Sequence, residues 1–251
     1  MAATQNSETV EVLRSKVATS NRIIAKFGLC IPEIRGHVSA RIPGSDKILI
    51  KAHGDPWLPH GGSLLYTTPE CIIMVDSGGR MLEDQRVGGH KLHPPSELPL
   101  HTEVYKARKD VNCVIHTHQQ GVIAATMANY TLKALNSQCP ELVIPPAPVF
   151  DAYIRVNSEK LGKDMAKALG DRSCVLLKGH GATVVGKSVE EATYRAVSLE
   201  WIAKVNIMAT SFGTGKVEGW PVKEADKQVK ERTDIQAIWH MMECDVAEYV
   251  K

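Results

Sequence analysis

Two histidines separated by one residue, His116 and His118, form the pattern in this chain that most directly indicates chemistry. They follow an apolar run, residues 111–115, whose composition predicts a β-strand. Residues two apart on a strand point to the same face, which brings the two imidazoles close enough to bind one metal ion. The alternative interpretation is a solvated strand face whose histidines bind nothing.

A third imidazole is available at His180, which lies between Gly179 and Gly181 after the apolar run 174–178. Glycine on both sides lets the backbone turn sharply and leaves room for a ligand beside the ring. Three imidazoles that leave a coordination position open are typical of a catalytic rather than a structural metal site. We therefore predict one divalent ion per subunit, and Zn, Mn, Fe and Co all accept this ligand set. Without a metal, His180 is only a turn residue.

Glu97 is the carboxylate best placed to work beside such a metal. It follows Pro94, Pro95 and Ser96, so it lies at the start of a predicted helix, and His101 comes one turn later on the same face. A carboxylate next to a metal can move a proton to or from a reacting carbon. The alternative is an ordinary first-turn glutamate that interacts favourably with the helix dipole.

Composition limits the classes of function. The 251 residues carry a formal net charge of +2, without the basic block that tracks a phosphate backbone, so nucleic acid is not an expected partner. No apolar run reaches membrane-spanning length, and the N-terminus has no secretory pattern. The six cysteines are scattered and form no CxxC pair, which favours reduced thiols in the cytoplasm.

The elements that must position these residues alternate between helix and strand. Helical spacing and capping residues predict helices at residues 7–28, 97–108 (capped by Ser96), 119–128 and 158–169. Short apolar runs predict strands at residues 47–51, 71–76, 111–116, 174–178 and 182–185. This order indicates one α/β domain built from a sheet and helical layers.

A long helix follows the last strand. Ser188 and Glu191 form a capping box at its start. Small or apolar residues then recur on one helix face: Ala192, Ala196, Leu199 and Ala203. We take this face as one reason to expect a homo-oligomer. The last thirty residues are rich in Lys and Glu and predict a peripheral helix.

Three stretches of the chain together resemble the class II aldolase/adducin family. They run from Pro95 to His118, from Leu177 to Glu191, and from Gly36 to Arg41. The resemblance covers about residues 10–212. The two histidine motifs are specific in combination, although each alone is a much weaker signal.

This resemblance implies a single domain over residues 1–251 with a three-layer α/β/α fold and a C-terminal helical extension at residues 213–251. It implies a metal on His116, His118 and His180, with Glu97 as acid/base or additional ligand. It also implies a homotetramer with active sites near subunit boundaries. Adducin members of the family lack the metal residues and act as binding modules, whereas this sequence retains those residues, so we expect an enzyme.

The sequence departs from the sugar-phosphate aldolases of that family. Those enzymes usually have Gly-Asn-(Ile/Leu)-Ser where this chain has Gly36-His37-Val38-Ser39, and a Thr-Gly phosphate loop where this chain has Lys51-Ala-His-Gly. Their Ser-Ser-Glu is Pro-Ser-Glu here. Each change removes a small polar group expected to hold a phosphate. The motifs Gly-His-Val-Ser and Leu-Lys-Gly-His-Gly instead look like the branch that decarboxylates hydroxylated aromatic or pyridine carboxylates.

We therefore expect a metal-dependent carbon–carbon lyase, acting as a non-oxidative decarboxylase of a small hydroxylated aromatic or heteroaromatic carboxylate. The alternatives are a class II aldolase, a non-catalytic adducin-like module and an iron-dependent enzyme of oxidative cleavage. His37, Ser39 and Arg41 are candidates to bind the substrate carboxylate, assisted by Lys178. Arg41 can equally form a structural ion pair.

Overall fold

A central mixed sheet organises the chain in a computed structural model that describes residues 9–31, 34–53, 57–213, 215–224, 227 and 234–250. The strands are β1 (His37–Arg41), β2 (Ile48–Lys51), β3 (Ile72–Val75), β4 (Arg86–Val87), β5 (His90–Lys91), β6 (Cys113–Thr117), β7 (Val149–Phe150), β8 (Cys174–Leu177) and β9 (Gly181–Gly186). Within the described residues, seven of them form one sheet in the order β3-β2-β1-β6-β9-β8-β7, while β4 and β5 form a separate hairpin. All neighbours in the large sheet are antiparallel except β7 and β8.

Helices cover both faces of this sheet. They are α1 (Val10–Lys26), α2 (Leu98–Ala107), α3 (Gln120–Met127), α4 (Glu159–Leu169), α5 (Val189–Ser211) and α6 (Ile235–Val246). Helices α2 and α4 pack together on one face, and α1, α3, α5 and α6 contact one another on the other. Alternate residues of β6 enter different cores, since Val114 belongs to the α2–α4 cluster and Ile115 to the opposite one. The expected three-layer α/β/α fold is confirmed.

The predicted helix at residues 97–108 differs from the structure at its start. It begins at Leu98, and Ser96 makes no cap. Glu97 occupies the N-cap position, but its side chain does not bond to the first turn of the helix. Its carboxylate instead accepts a hydrogen bond from the backbone N–H of Val156, so a tertiary contact has replaced the local cap.

Strand β1 was not predicted. It forms because it is bonded on both sides, by β2 and by β6, with His37 opposite His116 in the register of β6. Its short polar sequence carries no strong strand signal, and the neighbouring strands supply the hydrogen bonds that fix it. This strand brings His37 next to the metal-site candidates.

Helix α5 begins as its capping sequence predicts, since the Ser188 hydroxyl accepts a bond from the N–H of Glu191. The Glu191 carboxylate accepts from the N–H of Lys187, one residue before the predicted partner. The small-residue face is buried in this chain's own core, through Ala192, Ala196, Leu199 and Ala203. It therefore gives no support to oligomerisation, and that part of the sequence argument was wrong.

The described part of the C-terminal extension packs into the core, whereas the sequence predicted a peripheral helix. Trp239, Met242 and Val246 of α6 are buried in the core that contains α1 and α5. The helix extends from Ile235 to Val246. None of the helices formed by described residues has both the length and the apolar character that crossing a bilayer requires.

Candidate active site

Four side chains from three separate regions of the sequence converge at one end of the sheet. Glu97, His116, His118 and His180 each offer a ligand atom, and these atoms all lie within 4.8 Å of one another. The Nε2 atoms of His116 and His118 are 3.2 Å apart. The two oxygens of Glu97 lie 3.5 Å from His116 Nε2 and 3.7 Å from His180 Nε2.

The two histidines of the His-Thr-His motif are held by different contacts. His116 lies within β6, between β1 and β9, and is fully buried. His118 lies just beyond the end of β6, where its backbone N–H donates to the carbonyl of Leu29. His116 is therefore positioned by the strand itself, whereas His118 is positioned by the segment that directly follows the strand.

Gly181 brings His180 to the other two histidines. Its φ of +147° lies outside the range that side chains readily allow, and a Cβ there would overlap the carbonyl oxygen of Thr117. Only glycine lets the turn between β8 and β9 approach the end of β6 this closely. His180 itself occupies that turn and donates its backbone N–H to the carbonyl of Leu177.

The cluster fits a divalent cation on the chemistry of its donor atoms. His116 Nδ1 lies 3.1 Å from the carbonyl oxygen of Ala182, which can only accept, so Nδ1 carries a hydrogen and Nε2 is the ring nitrogen available to a metal. Nε2 faces the Glu97 carboxylate, and a cation between them would interact favourably with both. Both ring nitrogens of His180 are buried without a hydrogen-bond partner among the described residues.

The spacing agrees with metal coordination. Zinc–nitrogen bonds of about 2.0–2.1 Å in a tetrahedral arrangement place neighbouring ligand atoms about 3.4 Å apart. Three of the ligand-atom pairs in the cluster are separated by 3.2, 3.5 and 3.7 Å. The three histidines and Glu97 thus form a set that could hold one divalent ion.

Burial sets the protonation of these groups. Burial is the larger cause that lowers the pKa of His118 to about 3 and that of His180 to about 4, and repulsion between a protonated form of either ring and its neighbouring histidine His116 adds to it. Burial alone would raise the pKa of Glu97, but in the site without metal a hydrogen bond from His116 and the attraction of His116 and His180 outweigh burial and lower that pKa to about 2. At neutral pH His118 and His180 are therefore neutral and Glu97 is ionised, the states in which these groups bind metal.

A line of buried hydrogen bonds runs behind the cluster. His37 Nδ1 lies 2.7 Å from His101 Nε2, and His101 Nδ1 lies 2.7 Å from the Ser39 hydroxyl. The Ser39 hydroxyl lies 2.9 Å from that of Tyr105. If Tyr105 donates to Ser39, and each group donates to the next, the remaining hydrogen is on Nε2 of His37. That atom is the ring nitrogen left to face the cavity.

The structure separates the four predicted substrate-binding residues. His37 lines the cavity beside Glu97 and His118. Ser39 is fully buried behind it and reaches the cavity only through His101. The expectation that Ser39 itself orients a substrate is not supported by this placement.

Arg41 and Lys178 also lie outside the cavity lining. The Arg41 guanidinium donates to the backbone carbonyls of Tyr105, Arg108 and Val111, so it is a structural group, as the alternative interpretation held. Lys178 forms an ion pair with Asp151 at 3.0 Å. Both cations interact with neighbours within the chain and neither lines this cavity, so their contact with substrate stays a prediction.

The cavity has a volume of about 220 Å³ and includes three cationic or titratable residues that sequence reasoning missed. They are Arg35, His53 and Arg155. Arg35 directly precedes the Gly36-His37 motif, a position that could have drawn attention to it. Arg155 lies in a loop with no periodicity or motif, so only the folded chain identifies it.

Comparison with known proteins agrees with this architecture. Residues 15–207 match the family described as Class II Aldolase and Adducin N-terminal domain. A 3,4-dihydroxyphthalate decarboxylase from Arthrobacter keyseri is 35% identical over 205 residues, covering 80% of this chain and 79% of the relative. An L-fuculose phosphate aldolase from Methanococcus maripaludis is 28% identical over 148 residues, covering 59% and 76%.

Solved structures show the same fold. An aldolase II superfamily protein from Pseudomonas syringae superposes with a TM-score of 0.80 at 22% identity, covering 98% of this chain and 95% of that one. At this level of identity the likeness concerns the fold.

Proposed function

Because the chain belongs to the class II aldolase and adducin N-terminal domain family, we propose that it is a metal-dependent lyase that removes carbon dioxide from a small hydroxylated aromatic acid. The substrate resembles the dihydroxyphthalate named for its relatives. The observation that carries the proposal is the convergence of Glu97, His116, His118 and His180 beside an open cavity. Three imidazoles and a carboxylate accept Zn, Mn, Fe or Co, so one such ion per subunit is the cofactor.

Decarboxylation leaves the electron pair of the broken carbon–carbon bond on a ring carbon. A bound divalent cation would supply electrostatic stabilisation for the negative charge that spreads from this carbon onto the neighbouring hydroxyl oxygen. The three histidines would hold that cation without adding negative charge to the site. The cation would stabilise this developing negative charge more than it stabilises the starting acid, and that difference lowers the activation barrier.

Glu97 provides the proton chemistry of the proposal. Glu97 is ionised near neutral pH, and a bound cation would acidify the substrate hydroxyl enough for this carboxylate to accept its hydrogen when the acid binds. After carbon dioxide leaves, Glu97 returns this proton to the ring carbon. A solvent proton then restores the hydroxyl, which balances the reaction. When Tyr105 starts the chain of donors, His37 carries a hydrogen on the ring nitrogen that faces the cavity and uses it to orient the departing carboxylate.

Aldol cleavage is the second candidate function, since the same cluster would stabilise the enediolate of an aldolase. The loop after β2 argues against a sugar phosphate, because a Thr-Gly phosphate anchor is replaced by Lys51-Ala52-His53. Lys51 is buried and donates to the carbonyl of Ala52, so its ammonium is already engaged.

A substrate panel discriminates these two reactions. The metal-loaded protein is offered hydroxyphthalates, hydroxybenzoates and hydroxypyridine carboxylates, and separately fuculose- and rhamnulose-phosphate-type substrates. We expect carbon dioxide release from the first set, abolished by chelation and restored by added metal. Retro-aldol cleavage of the second set without carbon dioxide from the first would overturn the proposal.

We further propose a homotetramer. On α5, Trp201 and Met208 are about half exposed, and Phe212 just beyond it is 81% exposed. Their spacing of seven and four residues puts them on one side of the helix, where a neighbouring subunit would cover them. Light scattering tests this, and a monomer mass at micromolar concentration would contradict it.

All six cysteines are free thiols, which supports the expected cytoplasmic location.

A further inference from the structure

Arg35 and Arg155 line the same cavity as the metal-site candidates Glu97 and His118. They come from loops on different sides of the site, one before β1 and one between β7 and α4. Neither guanidinium forms a hydrogen bond or ion pair with another residue in the part of the chain that the structure describes. Cationic side chains at the surface of a fold are common, but two that line one cavity without an acidic partner indicate an anionic ligand.

Arg155 is placed at the cavity by its neighbour in the chain. The backbone N–H of Val156 donates to Glu97 Oε1 at 3.0 Å, which ties this loop to the start of α2. The N–H of Asn157 donates to the carbonyl of Arg155 at 3.0 Å and closes a tight turn. The position of Arg155 is therefore set by the same carboxylate that belongs to the metal-site cluster.

Arg35 is placed by Gly36. Gly36 has a φ of +121° and lies so close to Cys30 and to the carbonyl of His116 that a side chain at this position would collide with the Cys30 sulfur. This close approach fixes the loop against the end of β6. Arg35, one residue earlier, is thereby held at the rim of the cavity.

The charges in the cavity are unbalanced. Glu97 is the acidic residue that lines it within the described residues, and its oxygens already face His116, His180 and the Val156 N–H. A metal ion and two guanidinium groups would leave a large positive excess around a single carboxylate. A ligand with two negative groups matches this excess better than a ligand with one.

We infer that Arg35 and Arg155 bind the carboxylate that the reaction leaves in place, so that the site selects aromatic acids with two neighbouring carboxylates over monocarboxylates. This inference rests on the proposed function and assigns the specificity of the same site. The departing carboxylate lies toward His37 and the metal-site cluster. The retained carboxylate lies between the two guanidinium groups, whose planar donors suit a carboxylate in paired hydrogen bonds.

Binding of unreactive acids tests the subsite without requiring catalysis. Calorimetry on the metal-loaded, full-length protein compares phthalate, benzoate and inorganic phosphate. We expect phthalate to bind at least about tenfold more tightly than benzoate, since a hydrogen-bonded charge pair contributes on this order. Arg35→Gln and Arg155→Gln should each remove most of this preference and leave benzoate binding within about twofold. Arg80→Gln, which removes an exposed arginine paired with Asp76, is the matched control and should change neither affinity.

A kinetic comparison connects the subsite to turnover. With a dihydroxyphthalate, the two arginine variants should lose about 10- to 100-fold in kcat/KM. With a dihydroxybenzoate that lacks the second carboxylate, they should match the unaltered protein. A phthalate preference that survives in both variants overturns the subsite, as does phosphate binding as tightly as phthalate. If the variants lose the phthalate preference but no acid releases carbon dioxide, the subsite stands and the proposed function falls.

Discussion

The Nδ1 atom of His37 lies 2.7 Å from the Nε2 atom of His101, and both rings are buried. The two residues are 64 positions apart in the sequence, on β1 and α2. Burial lowers the pKa of His37 well below its usual range and that of His101 to about 3, so both rings are neutral near pH 7. A neutral pair at this distance shares one hydrogen, which fixes the orientation of His37 toward the cavity.

We expect disruption of this pair to impair substrate binding without loss of metal. His101→Leu should lower kcat/KM for a hydroxyaryl acid by about a hundredfold, because His37 loses the partner that sets its hydrogen and its ring orientation. His101→Gln, whose amide can still donate to His37, should recover part of this loss. Tyr105→Phe should give a smaller decrease, about tenfold or less.

The matched control is Tyr130→Phe, since the Tyr130 hydroxyl is buried without a hydrogen-bond partner among the described residues. It should leave kcat/KM unchanged. If His101→Leu lowers only the melting temperature and kcat/KM stays normal, the pair is structural and His37 does not depend on it.

Metal content should depend on His180. The purified, unchelated protein should contain about one divalent ion per chain, and His180→Ala should lose most of it, because one of the three imidazole ligands is then missing. His53→Ala removes a histidine that lines the same cavity but lies outside the cluster, so it should retain the metal. Elemental analysis measures both. Unchanged metal in His180→Ala would remove His180 from the site.

Glu97→Gln should reduce turnover by at least about a hundredfold while the fold is retained, since the amide can neither accept nor return a proton. Metal analysis of the same variant separates two roles, because a loss of metal identifies Glu97 as a ligand and retained metal identifies a proton carrier. Glu103→Gln is the control, a buried carboxylate on the same helix that pairs with Lys106. Near-normal turnover in Glu97→Gln would show that Glu97 has only a structural role at the start of the helix.

Arg41→Gln should destabilise the protein without affecting substrate affinity. Its guanidinium bonds to three backbone carbonyls and lies 4.8 Å from the Tyr105 ring. Loss of such hydrogen bonds at a partly buried site costs about 1–3 kcal/mol in the free energy of unfolding. Denaturant titration measures this cost, and KM should stay within about twofold. A large rise in KM at normal stability would show that Arg41 contacts the substrate after all.

The metal-free protein should lose stability as the pH falls below about 6.5, the ordinary pKa of histidine. Burial lowers the pKa of His101 and His118 to about 3 and of His180 to about 4, so these imidazoles stay neutral in the folded chain while the unfolded chain takes up protons. The free energy of unfolding is therefore unaffected by these groups above pH 6.5. Below that pH it decreases toward pH 4, by about 1.4 kcal/mol per pH unit for each proton that the unfolded chain takes up. In His101→Gln, the slope of the free energy of unfolding against pH should be smaller over this range, by the amount that corresponds to about one proton. An unchanged slope would contradict the assignment.

The sequence by itself determined most of the helices, five of the seven strands of the large sheet and the identity of the four clustered residues. His116 and His118 were recognisable because strand periodicity places alternate residues on one face, and His180 because glycines flank it. These are local signals, so they can be read from a few neighbouring positions. Even the family resemblance rested on such short motifs.

Tertiary structure decided which other side chains reach the cavity. Arg35 and Arg155 line it because two loops are fixed by close contacts with β6 and Glu97, and no local pattern encodes such contacts. Arg41 lies only four residues beyond His37, yet backbone carbonyls of the α2–β6 region hold it away from the cavity. The small-residue face of α5 was misread for the same reason, since helical spacing shows that a face is apolar but not what covers it. Long-range packing supplies that information, and it exists only in the folded chain.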